Sequence, residues 1–97
     1  MEIIKEKNAD GMKIKVIGEL DTKTSPELQK VVDSEVVADM DLCFEFSELE
    51  YLSSAGLAVL LTAQKKIGTK KIKLMGLNEV VREIFEETGF DALYDIV

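Results

Sequence analysis

Apolar residues follow two different periods in the first third of the chain. From Met12 to Val16 they alternate with lysines, a period of two that is typical of a half-buried strand. Between Leu28 and Val36 they recur at the spacing of one face of a helix. The turn cluster Asn8–Gly11 separates the first run from an earlier apolar pair, which predicts a hairpin that leads into a helix.

The rest of the chain continues the alternation of strand and helix. The predicted elements are, in chain order, a strand over Asp41–Phe46 with an exit loop at Ser47–Leu52, a helix over Ser54–Ile67, a strand around Ile72–Leu74, a helix between Asn78 and Gly89, and room for a short last strand in Phe90–Val97. Helices between strands imply right-handed crossovers and mainly parallel pairing. We therefore expect an α/β fold in a single domain, residues 1–97. Its mixed, mainly parallel sheet should have four to five strands, with three to four helices packed against it.

Composition narrows the class of protein. The chain has 97 residues, of which 46% are hydrophobic and 32% charged, an ordinary balance for one globular domain. Its formal charge of −7 disfavours nucleic-acid binding and suits a partner with a basic face. The single cysteine, Cys43, allows no intrachain disulfide and is expected to be a small buried apolar residue. Because there is no signal-peptide pattern and no apolar stretch of about 20 residues, we expect a cytoplasmic protein without membrane insertion.

The residue types present restrict the chemistry that the chain can perform. It has no histidine, so the commonest general base and the commonest transition-metal ligand are absent, and one cysteine is too few for a structural zinc site. The hydrolase pattern Gly-x-Ser-x-Gly is missing around the paired serines Ser53 and Ser54. No glycine-rich phosphate-binding loop is present. We expect no enzymatic activity, no metal and no cofactor.

Two polar loops follow strands of the predicted sheet. Gly18–Thr24 contains Asp21, and Tyr51–Gly56 contains Ser53 and Ser54. In open parallel sheets, ligands and partners meet the loops at the carboxyl ends of the strands, so Asp21 and Ser54 should lie close together if their strands are neighbours. A structural interpretation is also open, in which one serine caps the following helix and Asp21 is a turn residue.

A serine at the start of a helix is also well placed for reversible modification. A phosphate there faces free backbone N–H groups and the positive end of the helix dipole, so the fold need not change. It adds about −1.5 to −2 charges to an exposed position. A partner docked on that position loses affinity through repulsion and bulk.

Three segments of the chain resemble one protein family. They read, in order, VIGELDTKTSPEL, FEFSELEYLSSAGLAVLLTAQKK and LNEVVREIFEETGFDALYDI. In this order and spacing they resemble the STAS domain family, and more narrowly the bacterial anti-sigma factor antagonists. The resemblance runs from about Lys13 to the C-terminus, and its most specific part is Tyr-Leu-Ser-Ser-Ala-Gly-Leu. The family fold, a small mixed sheet flanked by helices, agrees with the elements predicted above.

The resemblance implies a binding protein that is switched by phosphorylation. In the antagonists, a serine at the start of the second helix is phosphorylated by the anti-sigma factor, which is also a serine kinase. The unphosphorylated form binds that kinase and so releases a sigma factor, and a phosphatase reverses the modification. Alignment on Gly56 puts the acceptor at Ser54, supported by Asp21, Ser53 and Gly56. Ser53 stands where some members carry Asp, and its hydroxyl is the second candidate acceptor.

The resemblance also implies which residues meet the kinase. They lie in the two loops and on the exposed front of the second helix: Thr22, Thr24, Ala55, Leu57 and Ala58. The kinase supplies ATP and metal, so no cofactor is needed here. STAS-like chains also serve as constitutive subunits of stress-signalling scaffolds or lipid-transport complexes, and this unphosphorylated role is the alternative function.

Overall fold

The longest strand pairs with three of the five other strands of the sheet. The computed structural model describes all residues, 1–97, with these elements in chain order: β1 (Glu2–Lys7), β2 (Gly11–Leu20), α1 (Ser25–Glu35), β3 (Asp41–Glu45), β4 (Leu49–Leu52), α2 (Ser54–Ile67), β5 (Lys73–Met75), α3 (Glu79–Thr88), a short 3-10 helix (Phe90–Leu93) and β6 (Asp95–Ile96). Strand β2 pairs antiparallel with β1, parallel with β3 through its first half and parallel with β4 through its last residues. β5 and β6 extend the sheet beyond β3, both parallel. The predicted α/β fold and mainly parallel sheet are confirmed.

The structure has one strand more than the residue pattern predicts. Leu49–Leu52, expected as an exit loop, forms β4. Leu49 and Leu52 are each 1% exposed, whereas the two residues between them are exposed, so their burial does not alternate as in a regular strand. The register of the β2–β4 pairing also shifts between Gly18 and Glu19. The exit-loop prediction is therefore wrong, and the paired serines follow β4 instead of β3.

All three helices cover the same face of the sheet. Along β2 the side chains of Met12, Ile14 and Val16 are at most 1% exposed, whereas the alternate side chains point to the other face and are only half-buried. The core is therefore one apolar layer between sheet and helices. The longest helix, α2, has 14 residues, and no helix combines the length and the apolar character needed to cross a membrane.

The other face of the sheet is open and charged. Lys13 and Lys15 of β2 both form ion pairs with Glu45 of β3, and Lys15 also pairs with Glu48. Cys43 points to this open face, because the residues beside it on β3 take the core face, and it is half-buried. The expectation that Cys43 is a small buried apolar residue is therefore wrong, because it is only half-buried. Its partial burial raises the pKa of the thiol above the ordinary value of 9.0.

The C-terminal segment completes the sheet and the core. The predicted last strand is confirmed as β6, which pairs with β5. Tyr94, just before it, is 4% exposed and packs edge-on against Phe85 of α3, with ring centroids 6.0 Å apart. Burial raises the pKa of the Tyr94 hydroxyl to about 12.

Candidate functional site

Asp21 and the paired serines leave the sheet side by side. β2 and β4 are parallel, and their last residues, Leu20 and Leu52, are partners in register. The ladder continues one step further, because the Ser53 N–H donates to the Leu20 carbonyl at 2.9 Å. Asp21 and Ser53 are therefore the first residues beyond two adjacent strand ends. The two loops meet as the sequence predicts, although through β4 and not through β3.

The side chain of Asp21 shapes its own loop. Its Oδ1 accepts hydrogen bonds from the backbone N–H groups of Lys23 at 2.9 Å and Thr24 at 3.0 Å. The Thr24 hydroxyl lies 3.2 Å from the same oxygen, accepts from the Asp21 N–H at 2.9 Å and donates to the Glu19 carbonyl at 2.8 Å. These bonds favour the charged carboxylate, the Thr24 N–H most of all, and hold the pKa of Asp21 below its ordinary value of 3.8. Thr24 is thus occupied in positioning the loop.

This hydrogen bonding makes the loop sensitive to acid. A carboxyl group whose pKa is lowered by folding stabilises the protein fully above its unfolded pKa, and this contribution is lost as the pH falls through the folded pKa. We expect an NMR titration of the Asp21 carboxyl carbon to give a pKa below 3.8. As the pH falls from about 5 to about 2, we also expect the free energy of unfolding to decrease less in Asp21→Asn than in the parent. A titration midpoint at or above the ordinary value would contradict the assignment of these hydrogen bonds.

The two serines of the second loop have different surroundings. Ser53 occupies the N-cap position of α2 with extended backbone (φ −99°, ψ 179°), and its carbonyl accepts from the Leu57 N–H at 3.1 Å. Its hydroxyl makes no capping hydrogen bond and is buried without a partner. Ser54 is the first residue of α2 and is exposed, and its hydroxyl makes no hydrogen bond within the chain. Ser53 is therefore the N-cap residue, as one interpretation of the sequence predicts, but without a capping hydrogen bond from its hydroxyl, and Ser54 carries the accessible hydroxyl.

Gly56 lets the start of α2 lie against the end of β2. A Cβ at this buried position would stand 2.9 Å from Leu20 Cγ and 3.1 Å from the Leu20 carbonyl oxygen. Only a residue without a side chain fits there. Leu57, expected as a partner contact, is 5% exposed and belongs to the core. The helical period turns Leu57 inward, so it lies outside the surface that a partner can contact.

The remaining predicted contacts are accessible to different extents. Thr22 and Ala58 are exposed, and Ala55 is half-buried. Sequence reasoning missed Tyr51, which is 45% exposed three residues before Ser54. The signal that could have identified it is an aromatic residue directly after the charged Glu50, in the segment that leads into the serines.

The two loops contain neither a cluster of metal-ligating side chains nor a cavity. No group of three or more Cys, Asp or Glu side chains is arranged to hold a metal ion. The two cavities of the molecule, about 490 and 250 Å³, have none of the predicted site residues in their walls. The larger lies on the open face around Cys43, and the smaller lies beside the turn Asn8–Gly11.

Comparison with known proteins identifies the family. The model of the STAS domain matches residues 2–96, and the chain belongs to this family. The chain is 30% identical over 96 residues to the anti-sigma-B factor antagonist of Listeria monocytogenes, covering 96% of this chain and 84% of that protein. The family resemblance predicted from the three sequence segments is confirmed.

Solved structures share the fold. The crystal structure of an anti-sigma factor antagonist from Mycobacterium paratuberculosis superimposes with a TM-score of 0.86 at 24% identity, covering 98% of this chain and 83% of that one. The Bacillus cell fate determinant SpoIIAA in its phosphorylated form superimposes with a TM-score of 0.66 at 16% identity, covering 99% of this chain and 91% of that one. At these identities the likeness concerns the fold.

Proposed function

We propose that this chain is an anti-sigma factor antagonist controlled by phosphorylation of Ser54. In the unphosphorylated form it binds an anti-sigma factor that is a serine kinase, and so releases a sigma factor. Its similarity to the anti-sigma-B factor antagonists of Listeria monocytogenes and Bacillus subtilis supports this class of protein. The observation that carries the switch is the exposed Ser54 hydroxyl, free of hydrogen bonds at the first residue of α2.

The position of Ser54 explains how a phosphate can act without unfolding the chain. The first turn of α2 has no acidic residue, so its backbone N–H groups and the positive end of the dipole are available to an anion. A phosphate adds about −1.5 to −2 charges at the place where a partner would dock. The fold is compatible with such a group, since SpoIIAA has the same fold in its phosphorylated form.

The neighbouring residues have supporting roles in this proposal. Asp21 keeps its loop in shape beside the serines, and Gly56 allows α2 to begin close to β2. Thr22, Ala55 and Ala58 form the accessible part of the contact surface, while Thr24 acts indirectly by positioning the loop. Ser53 presents its backbone to the sheet and buries its hydroxyl, which favours Ser54 as the acceptor.

Two partners follow from this function, a kinase and a phosphatase. The kinase provides ATP and metal, so this chain contributes only the hydroxyl and the binding surface. A phosphatase that acts on the phosphorylated form returns it to the binding state. The expected site of action is the cytoplasm, where sigma factors direct transcription.

Site mapping by mass spectrometry tests the proposal. The parent, Ser54→Ala and Ser53→Ala are each incubated with ATP and the anti-sigma kinase of the same organism. We expect one phosphate on the parent and on Ser53→Ala, and none on Ser54→Ala. Phosphate on Ser53 would move the acceptor by one residue. No phosphate, together with stable co-purification in a scaffold or transporter complex, would support a constitutive subunit instead.

A further inference from the structure

An exposed tyrosine stands beside the proposed acceptor. Tyr51 is 45% exposed on β4, whereas Leu49 and Leu52 of the same strand are each 1% exposed. Its cross-strand partner is Glu19 of β2, which is also exposed. Tyr51 therefore lies on the open face of the sheet, at the carboxyl end of β4, and contributes little to the core.

Tyr51 differs from the other exposed large apolar residues. Those residues are all aliphatic: Ile4, Val37, Val80, Leu93 and Val97. Single exposed aliphatic residues are ordinary in soluble domains. Tyrosine is enriched at the centres of protein interfaces, because its ring supplies a large contact area at little cost in conformational entropy. Tyr51 combines this residue type with a position three residues from Ser54.

The charges around Tyr51 indicate the chemistry of what covers it. Glu19 opposite and Glu50 beside it are exposed, and neither forms an ion pair within the chain. Glu45 and Glu48, further along the same face, are paired with Lys15. The two free carboxylates therefore suit a partner that brings its own positive charges.

We propose that Tyr51 anchors this chain on its anti-sigma factor, entering an apolar pocket rimmed by Lys or Arg side chains that face Glu19 and Glu50. The inference rests on the proposed function and deepens it, because it names a contact on the sheet face in addition to the loops. A buried anchor slows dissociation, whereas rim charges mainly speed association and make it depend on salt. The two contributions can therefore be measured separately.

Binding kinetics of the unphosphorylated protein on the immobilised anti-sigma factor test the anchor. We expect Tyr51→Ala to dissociate at least about tenfold faster, and Tyr51→Phe to stay within about threefold of the parent. Tyr51→Thr, which retains a good strand former, should behave like Tyr51→Ala. The matched control is Leu93→Ala, because Leu93 is 41% exposed and lies before β6, toward the opposite end of the parallel strands. It should bind like the parent.

The rim charges have their own test in the same assay. The double variant Glu19→Gln/Glu50→Gln should associate more slowly than the parent at low salt, and its association rate should depend less on salt. Asp91→Asn, which removes an exposed charge from the 3-10 helix, should leave the association rate close to that of the parent. An unchanged salt dependence in the double variant would overturn the basic rim.

Phosphorylation kinetics separate this inference from the proposed function. If Tyr51 anchors the kinase, Tyr51→Ala should raise KM for transfer to Ser54 and leave kcat near the parent value. The parent could bind and accept phosphate while Tyr51→Ala shows the same dissociation rate and the same KM. This outcome would overturn the anchor alone. A parent that neither binds nor accepts phosphate would overturn the proposed function, and the anchor with it.

Discussion

Ser54→Asp should bind the anti-sigma factor about 100-fold more weakly than the parent, a loss of about 2.7 kcal/mol. The substitution places a fixed negative charge at the acceptor position, which in the proposed complex meets the phosphates of the ATP that the kinase provides. Like charges brought together in an interface cost several kcal/mol, because desolvation strengthens their repulsion. The variant should therefore imitate the phosphorylated state.

The fold should tolerate this charge. The first turn of α2 has no acidic residue, so an aspartate at its first position interacts favourably with the helix dipole. We expect the free energy of unfolding of Ser54→Asp to stay within about 1 kcal/mol of the parent. Loss of binding without loss of stability would show that the switch acts at the surface.

Calorimetric titration and thermal unfolding of three variants check this prediction. Ser54→Ala should bind like the parent, because the Ser54 hydroxyl makes no hydrogen bond whose loss could disturb the loop. Ser54→Asn has nearly the size of Ser54→Asp without its charge, and it should bind closer to the parent. If Ser54→Asp binds as tightly as the parent, the charge mechanism is wrong. If Ser54→Asn loses as much affinity as Ser54→Asp, bulk and not charge is responsible.

Gly56→Ala should destabilise the protein by about 1–3 kcal/mol and lower phosphorylation of Ser54 by about tenfold to 100-fold. The new methyl group would lie 2.9 Å from Leu20 Cγ and 3.1 Å from the Leu20 carbonyl oxygen. Leu20 is fully buried, so neither its side chain nor its backbone can move aside freely. The start of α2 must shift instead, which strains the hydrogen bond from the Ser53 N–H to Leu20.

Gly68→Ala is the matched control for this effect. Gly68 ends the same helix with φ +86°, and a Cβ there meets no atom within 4 Å. Alanine at such a φ costs about 1 kcal/mol or more through backbone strain, but the strain lies at the end of α2 remote from Ser54. Chemical denaturation and the kinase assay should show both variants destabilised and only Gly56→Ala impaired in phosphorylation. Equal phosphorylation of the two variants would contradict the positioning role of Gly56.

The sequence predicted the residues of the site better than it predicted which strands bring them together. The position of Ser54 at a helix start follows from local signals, because a polar serine pair precedes a run of apolar residues at helical spacing. Strand β4, which leads into Ser54, has no regular alternation of buried and exposed residues, since its two buried leucines enclose two exposed residues. Its pairing with β2 comes from a contact between segments about 30 residues apart, and such contacts leave no period in the sequence.

Burial within the site was also beyond local reasoning. Leu57 and Ala58 are adjacent in the sequence and both follow the serines, yet Leu57 is in the core and Ala58 is exposed. The helix surface that faces the sheet decides between them. Cys43 shows the same limit on β3, where the alternation is visible but only the helices determine which face is covered.

The sequence by itself determined the alternation of strands and helices, the parallel α/β architecture and the STAS family, because periodicity and motifs are properties of neighbouring residues. Only the tertiary structure decided that β4 joins β2, that Ser53 buries its hydroxyl while Ser54 exposes it, and that Tyr51 remains uncovered. These outcomes depend on which distant segments remove each side chain from water. Burial of that kind is set by the packed molecule and not by residues that are close together in the sequence.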